Sequence, residues 1–241
     1  MTPALVLVHS PSVGPGTWQP VAQCLRDEGV ESVVPDLRTI GDGDPPYWPR
    51  VAATVAEWIV KVDVEGPLML VAHSNAGLFL PTIQQVAPEP IAGAIFVDAG
   101  LPADDGETPV APDGFLSKLR DLADADGILP RWTDWWTPED IAELLPDPQV
   151  RAAVVAEQPR LPLAYYQQTL PVPASWASVP AAYLQFSAGY ADEASRAGHA
   201  GWPVEYLPGE HLHQVVDPEA VTDSLLSLID RLDERKADRE M

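Results

Sequence analysis

The residues best suited to covalent chemistry are concentrated in Leu68-Met69-Leu70-Val71-Ala72-His73-Ser74-Asn75-Ala76-Gly77. An apolar run meets a small-x-Ser-x-small pattern and passes at once into a helical one. This predicts a buried strand that turns sharply into a helix with Ser74 at the apex. Alanine at 72 and 76 suits such a turn, because larger side chains would collide with the neighbouring strand and helix. The serine hydroxyl then stands at the head of a helix, where free amides favour negative charge.

A serine attacks well only when a base removes its proton, and histidine has the matching pKa. The chain has five histidines. His73 is the variable residue of the turn and is expected to pack beneath it; His9 ends an apolar run and should organise the loop that follows. His199 falls on the exposed side of a helical pattern. His211, in Gly209-Glu210-His211, follows the last apolar run and precedes the final helix, with His213 two residues on.

The elements that must hold these groups are legible as alternation. Apolar runs at 4–8, 31–34, 67–72, 91–97, 181–186 and 203–207 predict strands, and helical patterns lie between them. Uniformly apolar strands of this kind suit a mainly parallel sheet of about six strands, covered by helices on both faces in an α/β fold. Trp18, Val21, Ala22 and Leu25 mark the buried face of one helix; Val51, Val55, Trp58, Ile59 and Val62 mark that of a second. Val221, Leu225, Leu228, Ile229 and Leu232 mark the last, whose charged end beyond Asp233 is expected to fray.

The rhythm breaks between Leu101 and Val179. Many of the 27 prolines lie here, and Thr137-Pro138-Glu139-Asp140 and Asp147-Pro148 read as helix starts. The segment 101–179 is expected to form a helical cap over the carboxyl edge of the sheet, where open α/β sheets bind ligands. Residues 1–100 and 180–241 then form the core domain. Trp132, Trp135, Trp136, Tyr165, Tyr166 and Trp176 in the cap either form its own core or wall an apolar substrate pocket; Trp132, Trp135, Trp136 and Tyr165, together with His213, are the candidate substrate contacts.

Composition narrows the function. With 14 Lys and Arg against 36 Asp and Glu the net charge is −22, which disfavours nucleic acid and anionic membranes as partners. The single cysteine, Cys24, excludes an internal disulfide and a cysteine-based metal cage, and fits a reducing, cytoplasmic setting. Thr2-Pro3 runs into an apolar stretch too short to span a bilayer. Gly41-Asp42-Gly43-Asp44 is a fragment of a calcium loop without its remaining ligands, so a surface turn is expected. No glycine-rich phosphate loop occurs, and neither a cofactor nor a metal is expected. The partner implied is a small apolar molecule, bound by a monomer or homodimer.

Four landmarks fall in order: Val6-Leu7-Val8-His9-Ser10 with Gly14 and Trp18; Val34-Pro35-Asp36-Leu37-Arg38; Ala72-His73-Ser74-Asn75-Ala76-Gly77; and Gly209-Glu210-His211 with Asp217-Pro218. Together they resemble the α/β-hydrolase superfamily. The resemblance implies a serine esterase with Ser74 as nucleophile and His211, rather than His213, as base. Most relatives carry the orienting acid after the strand that follows the cap, yet Ser187-Ala188-Gly189-Tyr190 has no carboxylate there. Haloalkane dehalogenases and some lipases place it at the end of the strand after the nucleophile helix, which implies Asp98, with Asp192 in reserve. The resemblance also implies an oxyanion hole with the Asn75 amide as one donor. Pro11 stands where the second amide is usual and has no N–H, so the Ser10 hydroxyl, the Ser12 amide or hydroxyl, or a shifted backbone must replace it. Hydroxynitrile lyases and their esterase cousins are similar in carrying a hydroxyl residue in this loop. They keep open a second chemistry, in which Ser74 and His211 act as acid and base with no acyl intermediate. A small-molecule binding module without catalysis is the remaining possibility.

Overall fold

The computed structural model describes residues 3–61 and 67–240; Val62 lies outside the described residues. Six strands, β1 (Ala4–Val8), β2 (Ser32–Val33), β3 (Leu68–His73), β4 (Ile91–Val97), β7 (Ala181–Gln185) and β8 (Val204–Tyr206), form one sheet in the order β2-β1-β3-β4-β7-β8. Every pairing in it is parallel. The intervening β5 (Gly106–Pro109) and β6 (Thr169–Val172) form a separate antiparallel pair. The helices are α1 (Gln19–Asp27), α2 (Trp48–Lys61), α3 (Leu80–Val86), α4 (Asp113–Leu122), α5 (Pro138–Leu144), α6 (Pro148–Glu157), α7 (Leu163–Gln167), α8 (Ala191–His199), α9 (His213–Val216) and α10 (Pro218–Glu240).

The sheet is apolar on both sides because both sides are covered. Val6, Val8, Leu70, Ala72, Phe96 and Tyr183 point to one core, which takes in Val51, Val55 and Ile59 of α2 and Ala194 and Ala197 of α8. Leu5, Leu7, Val71, Ile95, Val97 and Leu184 point to the other, filled by Leu25 of α1 and Val221, Leu225 and Leu228 of α10. This strict alternation is the period of two expected of strands. The last helix continues past Asp233 to Glu240, contrary to the expected fraying: Glu, Arg, Lys and Ala all favour helix without needing an apolar face.

Register decides where chemistry can sit. His73 pairs with Val97, so the next residues, Ser74 and Asp98, leave the sheet side by side at its carboxyl edge. The Asp98 N–H donates to the Leu184 carbonyl at 2.8 Å, which brings the end of β7 alongside.

Between β4 and β7 the chain forms α4 to α7 and the β5/β6 pair, an element its short, Gly- and Pro-containing strands do not announce. Thr137 and Asp140 close a reciprocal capping box on α5, and Asp147 caps α6 through the amides of Gln149 and Val150. At the end of α6, Glu157 accepts the Gly16 N–H at 2.8 Å, tying this segment to the loop after β1. Tyr165, Tyr166 and Trp176 are buried in the main core; Trp132 and Trp135 are half-buried and Trp136 is exposed. The buried three therefore belong to the core shared with the sheet and not to a separate core of the segment. Among the described residues, no helix is long and apolar enough to cross a membrane, and no group of His, Cys, Asp and Glu could hold a metal ion.

Candidate active site

Ser74 directly follows β3 and opens a short helical turn (Ser74–Phe79) with φ of 60°. A non-glycine residue in this left-handed region is strained by about 1 kcal/mol or more, and only surrounding packing holds it there. Ala72 and Ala76, both fully buried, leave room for the tight reversal. Gly77 is needed for another reason: a Cβ there would lie 2.3 Å from the Gly100 carbonyl oxygen, in the loop that follows Asp98. That loop is fixed in turn by the Gly100 N–H, which donates to the Ser74 carbonyl at 3.1 Å. Gly77→Ala is therefore expected to destabilise the fold by about 2–4 kcal/mol through overpacking against backbone that cannot yield. Urea unfolding would read this as a lower midpoint at an unchanged slope.

The sheet edge brings Ser74, His211 and Asp98 together. His211 Nε2 lies 2.9 Å from Ser74 Oγ, and its Nδ1 lies 2.7 Å from Asp98 Oδ2. Asp98, also at positive φ (42°), is fully buried. Its Oδ1 accepts the Phe186 and Ser187 N–H groups, each at 3.0 Å, and its Oδ2 accepts the Ser187 hydroxyl at 2.7 Å. Burial alone would raise its pKa; the hydrogen bond and charge of His211 and the donors of Ser187 outweigh that and hold the carboxyl below its ordinary range. Tyr183 braces the next peptide, its hydroxyl donating to the Ala99 carbonyl and accepting the Ala99 N–H.

The other histidines are struts or surface residues. His73 Nε2 donates to the His211 carbonyl at 2.7 Å; burial, then the neighbouring His211, lowers its pKa to about 3, so it stays neutral. His9 accepts the Leu37 N–H at 3.1 Å on Nε2, and burial lowers its pKa to about 4. His199 is exposed on α8, as is Asp192 in that helix's first turn; Asp98 occupies the His211 nitrogen for which Asp192 was the alternative partner. His213 packs edge-on against Phe186, ring centroids 5.5 Å apart, and is no part of the cavity walls beside Ser74. Two residues on, the chain has already entered α9 and turned the side chain away.

Two large cavities meet at Ser74. One, of about 460 Å³, is bounded by Ser10, Ser12 and Asn75 and by apolar groups including Leu78, Phe115 and Trp135. The other, of about 340 Å³, is bounded by His211, Trp136, Ile141 and Leu144. Trp132 and Tyr190 wall both. Tyr165 lines neither: it is buried below, donating its hydroxyl to Asn75 Oδ1, while Asn75 Nδ2 donates to the Val110 carbonyl at 3.1 Å. In the loop after β1, the Ser12 N–H faces Ser10 Oγ at 3.4 Å, and Ser12 Oγ is hydrogen-bonded to the Tyr166 hydroxyl. Among the described residues, the Ser10 hydroxyl proton has no hydrogen-bond partner.

Sequence reasoning did not single out Tyr190 or Ser187 for a role at the site, and it placed Tyr166 among the cap aromatics without naming it a site residue. Tyr190 stacks on His211, centroids 5.0 Å and planes 7° apart, with its hydroxyl 3.4 Å from Ser74 Oγ. The one available signal was its position in the turn after β7, where a carboxylate was sought.

The model of the alpha/beta hydrolase family matches residues 5–224 of the chain. Comparison with curated proteins gives no match. Among solved structures, an extracellular alpha/beta-hydrolase from a Paenibacillus species is similar at 20% identity and a TM-score of 0.74, over 94% of this chain and 99% of that one. A pyrethroid hydrolase from Sphingobium faniae JZ-2 is similar at 18% identity and a TM-score of 0.71, over 95% and 98%. A variant of tomato methylketone synthase I is similar at 15% identity and a TM-score of 0.68, over 96% and 99%. At these identities the structural likeness speaks for the fold, and with the family match over nearly the whole chain it establishes that the protein belongs to the alpha/beta hydrolase family.

Proposed function

We propose that the protein is a serine hydrolase that cleaves a small to medium, largely apolar carboxylic ester or thioester through an acyl-enzyme. The observation that carries this reading is the unbroken chain Asp98–His211–Ser74, at 2.7 and 2.9 Å, ending on a serine at positive φ between two cavities. Asp98 accepts the His211 Nδ1 proton, which leaves Nε2 as the lone-pair nitrogen that takes the Ser74 proton during attack. The Asn75 amide and the Ser10 hydroxyl supply hydrogen bonds to the developing oxyanion, Ser10 standing in for the amide that Pro11 lacks. The leaving oxygen or sulfur has to lie on the His211 side to receive the proton. The alcohol or thiol part therefore occupies the 340 Å³ cavity, and the acyl part the apolar 460 Å³ cavity. In this reading residues 101–179 act as a cap whose Trp132, Trp135 and Trp136 touch substrate.

A fluorophosphonate probe tests the reading: it should label the parent at Ser74 and leave Ser74→Ala unlabelled, and a short p-nitrophenyl ester should be hydrolysed by the parent alone. Absence of both label and hydrolysis would overturn it. The missing Pro11 donor favours one other reading, acid–base chemistry by Ser74 and His211 without a covalent intermediate. An acyl mass increment on Ser74, trapped by acid quench during turnover, decides against that alternative.

A further inference from the structure

We propose that Tyr190 is a further catalytic residue, whose hydroxyl donates a hydrogen bond to the departing oxygen, and that the site is consequently suited to esters of unactivated aliphatic alcohols. The inference rests on the acyl-enzyme reading above and specifies its substrate class.

The hydrogen-bond directions along the chain leave little choice. Asp98 can only accept, so His211 Nδ1 donates to it and Nε2 accepts from Ser74. Ser74 has then spent its proton, and the contact at 3.4 Å between Ser74 Oγ and Tyr190 Oη requires Tyr190 to be the donor. Among the described residues, Ser74 Oγ is the only hydrogen-bond partner of the Tyr190 hydroxyl. Once Ser74 Oγ bonds to the substrate's carbonyl carbon it becomes a much poorer acceptor, and the Tyr190 O–H needs a new one.

The position of the ring selects which oxygen that is. Tyr190 lies flat against the His211 imidazole, 5.0 Å between centroids, and its hydroxyl reaches Ser74 Oγ, the atom that His211 Nε2 also faces and beside which the imidazolium returns its proton. Asn75 and Ser10 border only the other of the two large cavities beside Ser74, whereas Tyr190 stands at their junction. In the collapse of the tetrahedral intermediate the bond from carbon to the leaving oxygen breaks, its electron pair stays on that oxygen, and the proton comes from His211 Nε2. Tyr190 keeps its own proton throughout and lends a hydrogen bond. Burial pushes its pKa up to about 12, the bond to Ser74 opposing, which suits a donor that must not ionise. An aliphatic alkoxide is a strong base that gains much from a second donor as it departs; a nitrophenolate is stabilised by its own ring and gains little.

The test is Tyr190→Phe on two butyrate esters that share an acyl group. On ethyl butyrate kcat/KM should fall about 30-fold, below the roughly 10²–10³-fold typical of losing an oxyanion-hole donor, because His211 still protonates the leaving oxygen. On p-nitrophenyl butyrate it should fall less than about threefold. Equal losses on both esters would assign Tyr190 to packing or to the oxyanion, and unchanged rates on both would leave it without a role; either result overturns the proposal while leaving Ser74 labelling by the fluorophosphonate intact. A parent that neither labels nor hydrolyses either ester would overturn the underlying reading as well. Fluorotyrosine at 190, a stronger donor of nearly the same shape, guards against a folding defect: it should raise the ethyl-to-nitrophenyl rate ratio, and an unchanged or lowered ratio also overturns the proposal.

Discussion

His211→Gln is expected to lower kcat for ester hydrolysis by about 10⁵-fold, and adding Ser74→Ala to it should cost almost nothing further. The reason is that, in the proposed acyl-enzyme mechanism, the two side chains act through one proton. Glutamine can hydrogen-bond near Ser74 Oγ but cannot accept and return the proton that attack releases, so a serine left in place has no route to the alkoxide. The variant is a fair probe of chemistry because the interaction that anchors this loop survives it: His73 donates to the backbone carbonyl of residue 211, at 2.7 Å, and not to its side chain. Substrate binding should survive as well, since the walls of both cavities are built mainly from other residues. Single-turnover rates for the parent, both single variants and the double variant would decide. Additive losses, with the double variant slower by the product of the two single effects, would contradict a shared proton path.

How much of this was legible in the sequence depends on what each residue had to satisfy. The six strands read clearly because both faces of the sheet are buried, which writes the strands as unbroken apolar runs. The Ser74 turn read clearly because its tight reversal places small, fully buried residues at 72 and 76. Asp98 was legible only through the lack of a carboxylate in Ser187-Ala188-Gly189-Tyr190, helped by the resemblance to relatives with the acid one strand earlier. The structure shows what that turn carries in its place: Ser187 donates twice to Asp98, and Tyr190 reaches Ser74. A tyrosine after a turn has no pattern of its own, since its use depends on which strand end lies across from it. The same holds for the hydroxyl of Tyr165, which bonds to Asn75 across 90 residues of sequence. The β5/β6 pair was hidden because its strands are only four residues long and carry glycine and proline, and β5 buries only Thr108.

Asp98→Asn is expected to cost about 10⁴-fold in kcat, although every heavy atom of the side chain keeps its place. The amide oxygen of the introduced side chain can still accept the Phe186 and Ser187 N–H groups that Asp98 Oδ1 accepts at 3.0 Å. Its NH₂ group then stands where Oδ2 accepted from both the Ser187 hydroxyl and His211 Nδ1. An NH₂ group only donates, so His211 must offer a lone pair at Nδ1 and carry its proton on Nε2, facing Ser74. The imidazole is then a donor at the point where a base is required, and it also loses the buried charge that stabilises the imidazolium formed during attack. The substitution has a separate signature in stability. The Asp98 carboxyl is held below its ordinary value of 3.8, so near that value the unfolded chain binds protons that the folded one does not. The stability this contributes is complete above the unfolded value and is lost as the pH falls through the folded one. Urea midpoints of parent and variant should thus differ most at about pH 7 and converge only as the pH falls below the ordinary value of 3.8 towards the lower folded one. A difference that stays constant with pH, or kcat within about tenfold of the parent, would show that Asp98 neither carries the charge nor sets the tautomer.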